Sequence, residues 1–315
     1  MNIKTKQKTL IVIVGPTAIG KTALAIQLAQ HYKTEIISAD SRQFFREMQI
    51  GTAKPSAVEL AAAPHHFIDS HSIKTLFSVG DFEVQALKLI DHLFKIHDNL
   101  VMVGGSGLYI DAVCKGLDEL PEIDLNIREQ LNKQLLDEGI EVIKKDLQEL
   151  DPEYYEKVDQ ANPQRMIRGL EVVLSTGQKL SSFLTANKKE RPFNIIKIGL
   201  NTDRSLLYER INHRVDLMME AGLLQEAKSL LPYRQYNALN TVGYSELFDY
   251  LDDKTDLLSA IAMIKQNTRR FAKRQLTWFR RDENTPWFEP NQFEGIIKYL
   301  NKSVIPSSEE SRRKI

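Results

Sequence analysis

Cysteine is nearly absent from this 315-residue chain, where Cys114 stands alone. An intramolecular disulfide is therefore impossible and a cysteine-based metal cluster is excluded, which fits a reduced, cytoplasmic setting. Long apolar runs are also missing, and none approaches the roughly 20 residues that a membrane helix needs. The opening MNIKTKQKT is basic but leads into a short strand-like run, unlike a secretory signal. A surplus of one charge is lacking too, because 42 Lys and Arg balance 42 Asp and Glu. That balance argues against a protein that coats nucleic acid without specificity, and it leaves room for a local basic surface. What is present is ordinary globular material, with 42% hydrophobic and 27% charged residues, enough for a sizeable core in one large domain or two modest ones.

Residues 9–14, TLIVIV, are a continuous β-branched and aliphatic run, as suits a strand buried on both faces of a parallel sheet. Further strands are expected at 35–40 (EIISAD), 100–105 (LVMVGG) and 193–201 (FNIIKIGLN), with helical patterns between them, notably at 81–97. Strands alternating with helices predict a three-layer α/β fold around a parallel sheet. From about 117 to 162 no strand candidate occurs, and a helical insertion is expected. Within it, residues 122–161 hold 12 Asp or Glu against 5 Lys or Arg, a net of −7. Residues 1–116 and 163–302 then form a discontinuous core, helical over much of 203–281, and 303–315 form a polar tail.

Residues 15–22, GPTAIGKT, satisfy the pattern G-x-x-x-x-G-K-[ST] between a buried strand and an amphipathic helix. Glycines let backbone N–H groups curl around phosphate oxygens, Lys21 supplies charge, and the Thr22 hydroxyl can ligate Mg²⁺. The helix starting near Thr22 adds its positive dipole end. The whole run Gly15, Pro16, Thr17, Ala18, Ile19, Gly20, Lys21 and Thr22 is the expected phosphate cradle of a P-loop NTPase-like domain. The motif specifies a phosphate chain; it does not specify ATP hydrolysis.

Asp40 follows a candidate strand at the sheet edge where ligands bind in open α/β folds. It suits a general base or a metal-associated acid, and equally a helix cap. GGSGLY at 104–109 is a second Gly-rich turn, which serves either a ligand or only a tight strand-to-helix connection. After Pro163, Gln164, Arg165 and Arg168 crowd the start of a helix, where cations oppose the dipole and want an anionic partner, either a ligand or a nearby acid. Residues 257–281 carry seven cations (Lys265, Arg269, Arg270, Lys273, Arg274, Arg280, Arg281) and no acid. Such a helix is either a phosphate-binding face or a solvated flank of a packed one.

Eight segments in chain order resemble the tRNA dimethylallyltransferase family: GPTAIGKT (15–22), SADSRQ (38–43), IGTAKP (50–55), HHFID (65–69), GGSGLYI (104–110), NPQRMIRGLEV (162–172), VGYSE (242–246) and TRRFAKRQLTWFR (268–280). They span roughly 10–281, and the pair SADSRQ and IGTAKP is far more specific than the phosphate loop. Ser106, Phe45, Gln49 and Phe77 depart from the family pattern, which favours Thr, an aromatic hydroxyl, Asp and Tyr respectively. The resemblance implies transfer of a dimethylallyl group from its diphosphate to N6 of the adenosine 3′ of the anticodon, in tRNAs reading codons that begin with U. It implies that Asp40 is the base, that Thr17, Lys21 and Arg214 stabilise the leaving diphosphate, and that Mg²⁺ sits at Thr22. It assigns tRNA contact to Asp40, Ser41, Arg42, Gln43, Ser106, Arg128, Gln164, Arg165, Met166, Ile167 and Arg168. The insertion would then grip the anticodon arm, with Lys144 and Lys145 as local cations within an acidic segment. A monomer that uses tRNA and dimethylallyl diphosphate, with no membrane partner, is expected. The alternative is a P-loop small-molecule kinase, in which the basic helix and the Arg165/Arg168 pair would serve as lid and phosphate contacts.

Overall fold

A computed structural model describes residues 8–185 and 189–304. The chain opens with β1 (Thr9–Val14), α1 (Lys21–Tyr32), β2 (Ile36–Ser38), α2 (Ala57–Ala62), β3 (His65–His66), α3 (Val79–Leu93), β4 (Asn99–Val103) and α4 (Gly107–Lys115). Five helices follow: α5 (Leu125–Glu138), α6 (Ile140–Leu150), α7 (Pro152–Lys157), α8 (Pro163–Thr176) and α9 (Leu180–Phe183). The sheet resumes with β5 (Asn194–Leu200), then α10 (Arg204–Glu220), α11 (Leu223–Leu230), α12 (Tyr244–Leu251), α13 (Leu257–Phe279), β6 (Trp287–Phe288) and α14 (Phe293–Val304). Two compact units result, one of residues 1–115 with 191–315 and one of residues 116–190.

Among the described residues the first unit holds a six-stranded sheet in the order β3-β2-β4-β1-β5-β6, every pairing parallel. β1 lies inside the sheet and is buried along its whole length, as its unbroken apolar run requires. Its alternate residues serve opposite layers. Ile11 and Ile13 pack with Leu24 and Leu28 of α1 and with Leu207 and Ile211 of α10. Leu10, Val12 and Val14 pack with Phe82, Ala86 and Ile90 of α3 and Ile110 of α4. A third apolar cluster joins Val215, Leu223, Tyr244, Leu247 and Ile264 to Phe45 and Met48. The expected three-layer α/β architecture is therefore present. The strands expected at 35–40 and 193–201 are trimmed at both ends, the one expected at 100–105 runs from Asn99 to Val103, and the helix expected at 81–97 runs from Val79 to Leu93. The two-residue edge strands β3 and β6 went unread in the sequence.

Helix α3 starts at a capping box in which the Ser78 side chain accepts from the Asp81 N–H and the Asp81 carboxylate accepts from Ser78 N–H at 2.8 Å. The second unit has its own core of Leu131, Ile143, Leu147, Met166, Ile167 and Leu170. That unit reaches residue 190, so the helix after Pro163 packs with the insertion and not with the sheet domain, contrary to the expected border at 162. The reason is α8's apolar face, which packs against α5 and α6. Of the expected polar tail, Ser303 and Val304 end α14, and residues 305–315 lie outside the described residues. No helix among the described residues is long and apolar enough to cross a membrane.

Candidate active site

The connection leaving β1 runs to β2 on one side, and that leaving β4 runs to β5 on the other, so a crevice opens beyond the strands' carboxyl ends, the usual ligand edge of such sheets. Three turns meet there. The first, 15–20, links β1 to α1. Gly15 has φ 146°, and a Cβ on it would lie 2.6 Å from the Leu200 carbonyl oxygen, so both conformation and space demand glycine. Ala18 also holds a positive φ of 63°, strain that an ordinary connection has no need to keep. α1 begins directly at Lys21, with Gly20 as its left-handed cap, so its first N–H groups face the cradle without a side-chain cap. Lys21 Nζ donates to the Pro16 carbonyl at 2.8 Å. Burial pushes the Lys21 ammonium down to about 8; Asp40 opposes this and Arg214 adds to it.

The second turn follows β2. The Asp40 Oδ1 accepts the Arg42 N–H at 3.1 Å, so this carboxylate caps its own turn while also lining the crevice. Gln43 donates to the carbonyls of Thr52 and Ala53 at 3.2 and 3.1 Å. Arg42 donates to the carbonyls of Asn237 and Asn240 at 3.3 and 3.4 Å. The third turn follows β4. There the Ser106 hydroxyl accepts from Ser41 N–H and donates to Ser41 Oγ, both at 3.0 Å. Ser106 thus ties the third turn to the second.

Two cavities meet at these turns. One, of about 300 Å³, is lined by Thr17 to Ala23, Ser38, Asp40, Gln43, Lys54, Glu59, His65 and Arg214 among others, and is predominantly polar. The other, of about 390 Å³, runs past Ser41, Arg42 and Ser106 to an apolar wall of Tyr109, Ile211, Val215, Met218, Ile264, Phe271 and Trp278. Thr17, Asp40, Thr52, Ala53 and Arg214 border both. Burial also lowers the Arg214 guanidinium below its ordinary value, against the pull of Glu59 and Asp40. The shared 51–53 wall is held from behind by Glu226, whose carboxylate accepts the N–H groups of Gln49, Ile50 and Gly51 at 3.0, 2.8 and 3.0 Å and the Tyr244 hydroxyl at 2.6 Å.

The expected residues Gly15 to Thr22, Asp40 to Gln43, Ser106 and Arg214 therefore come together around one crevice. Those expected on the second unit fare differently. Met166 and Ile167 are fully buried in that unit's core, because they fall on the apolar stripe of α8, and their side chains are closed to solvent. Arg128 makes a bidentate pair with the buried Glu171 at 2.6 and 3.0 Å, and Arg168 pairs with the same carboxylate. A buried acid thus absorbs both cations. Arg165 is exposed, and Gln164, also exposed, donates to Asn132 at 3.5 Å. Lys144 pairs with Glu141 at 2.7 Å, while Lys145 is exposed.

On α13 the cations also divide. Lys265 pairs with Asp216 at 2.5 Å, and Arg269 donates to Asn212 at 2.5 Å beside the Tyr208 ring. Arg270, Lys273 and Arg274 are exposed. Glu59, His65 and Gln275 had no role legible in the sequence, although all lie in or near the family-like segments. Their signal was position within a motif, and their function depends on contacts distant in the chain.

A glycine-rich turn of the P-loop pattern thus opens onto a polar cavity that adjoins an apolar one across a carboxylate, a threonine and an arginine, in an α/β fold. The IPP transferase family pattern matches residues 43–282. A tRNA dimethylallyltransferase of Christiangramia forsetii is 56% identical over 296 residues, which cover 94% of this chain and 98% of that relative. The full-length tRNA isopentenylpyrophosphate transferase of Bacillus halodurans superposes with a TM-score of 0.71 at 37% identity, over 95% of this chain and 97% of that one. A eukaryotic dimethylallyltransferase, solved acting on tRNA, gives a TM-score of 0.75 at 26% identity, over 95% of this chain and 78% of that one. The chain belongs to the IPP transferase family.

Proposed function

We propose that this enzyme transfers a dimethylallyl group from dimethylallyl diphosphate to N6 of the adenosine 3′ of the anticodon, in tRNAs reading codons that begin with U. The observation that carries the proposal is the junction of a polar, loop-lined cavity with an apolar one at Thr17, Asp40 and Arg214. The diphosphate lies in the first, on the amides of the 15–20 turn and the start of α1. The adenine, swung out of its stack, enters through the second, where Tyr109, Phe271 and Trp278 offer aromatic surface.

The N6 nitrogen attacks C1 of the donor. The N6–C1 bond forms, the C1–O bond breaks with its electron pair leaving on diphosphate, and one N6 proton passes to Asp40. Lys21, Arg214 and the Thr17 hydroxyl meet the negative charge that gathers on the leaving oxygens. Thr22 borders the phosphate cavity and offers a hydroxyl. That hard oxygen would hold Mg²⁺ beside the diphosphate. Bound at Thr22, Mg²⁺ would supply further charge neutralisation to the diphosphate.

Outside the crevice, the exposed Arg270, Lys273 and Arg274 of α13 suit RNA phosphates, and on the second unit Arg165 and Lys145 do so. The kinase alternative is not favoured, since the matched relatives and solved neighbours carry prenyl- or isopentenyl-transferase names. Replacing Asp40 with Ala tests the base: prenyl transfer falls at least about 10²-fold while tRNA stays bound. Undiminished turnover would remove Asp40 from that role.

A further inference from the structure

Gln275 sits on the inner face of α13 and is nearly buried, with 5% of its surface exposed. A buried primary amide must satisfy both ends, and this one does so on two different turns of the site. Its Oε1 accepts the Thr17 N–H at 2.8 Å, and its Nε2 donates to the Gly105 carbonyl at 2.9 Å. The fit is tight, because a Cβ on Gly105 would collide with Nε2 of Gln275. Gln275 also lines the apolar cavity beside Thr17.

The Thr17 N–H is thereby committed to a side chain, unlike the free amides expected of a phosphate cradle. What the bond fixes is the backbone of Thr17, a residue that borders both cavities. The other half of the same amide fixes Gly105, next to the Ser106 that holds Ser41. One side chain thus sets the spacing between the phosphate turn and the turn bonded to the Asp40 segment.

We propose that Gln275 is a positioning residue for the transfer reaction, holding the Thr17 hydroxyl where the departing diphosphate oxygen meets it. This rests on the proposed prenyl transfer. Gln275 touches no reacting atom; it acts through Thr17. Misplacing a contacting group by about 1 Å can cost on the order of 10²-fold in rate, which sets the scale of the expected effect.

The test is a double-mutant cycle in the full-length protein, reading kcat and KM for dimethylallyl diphosphate together with the tRNA Kd. Gln275→Met keeps the volume and loses both hydrogen bonds. It lowers kcat by about 10- to 100-fold and leaves the tRNA Kd within about 2-fold. In a Thr17→Ala background the same change costs no more than about 3-fold, since the group it positions is already gone. Losses that multiply across the two sites would overturn the proposal, as would a Gln275→Met enzyme with wild-type kcat. If Gln275→Met does not fold, Gln275→Asn, too short to span both partners, runs through the same cycle with the same two outcomes. Absence of transfer in the wild-type protein would instead strike the function itself, so the two failures are separable.

Discussion

Lys21 shows how one residue carries fold and chemistry together. Burial lowers its ammonium to about 8, while the unfolded chain titrates near 10.5. Between those values the unfolded state binds more protons, so donor-free protein gains stability from this group as pH rises through that window. Diphosphate reverses the preference by favouring the charged form. Donor binding should therefore be full below about 8 and weaken as pH rises beyond it, by up to about one decade per pH unit. Calorimetric titration of dimethylallyl diphosphate at several pH values reads this directly, and Lys21→Arg should flatten it. Lys21→Ala should damage donor use more than tRNA binding; equal loss of both would contradict the assignment. Arg128 and Arg168 share the fully buried Glu171 carboxylate, and removing one of them leaves a buried charge with a single partner. Arg128→Ala should thus appear first as a lower melting temperature, whereas Arg165→Ala should weaken tRNA binding with little thermal effect.

The element with most to explain is α13. It touches every core of the sheet unit: Ile264 enters the third cluster, Ala272 the α1 layer and Phe279 the α3 layer. A helix so anchored presents Arg270, Lys273 and Arg274 outward on a rigid support. Replacing these three with Ala should lower tRNA affinity and reduce the salt slope by roughly 0.7–0.9 for each RNA phosphate no longer neutralised, with diphosphate binding spared. An unchanged slope would make the face structural. The seven cations were countable in the sequence, but their division was not, because Asp216 and Asn212, which absorb Lys265 and Arg269, lie some fifty residues away on α10. β1 was legible because burial on both faces writes a continuous apolar run. β3 and β6 were not, since two-residue edge strands exist only through their pairing with Ile36–Ile37 and Gly199–Leu200. The phosphate turn and Asp40 announced themselves by local pattern. The apolar cavity did not, for its wall gathers Tyr109 from α4, Val215 from α10, and Ile264 and Trp278 from opposite ends of α13's inner face.

Across the entire chain, zero net charge hides a division of work between two compact units with different cores. The sheet unit carries the cradle, the junction and the exposed cations of α13. The second unit is acidic over 122–161, and its exposed cations Arg165 and Lys145 stand isolated within or beside that segment. The proposed function rests above all on the bond formed at the junction of the two cavities. Mass spectrometry of nucleosides from unmodified tRNA, incubated with the protein, Mg²⁺ and dimethylallyl diphosphate, detects that bond itself. Adenosine heavier by one dimethylallyl group is expected, formed at the position 3′ of the anticodon and lost with Asp40→Ala. Unmodified adenosine throughout, from protein shown to be folded and to bind tRNA, would contradict prenyl transfer at this site.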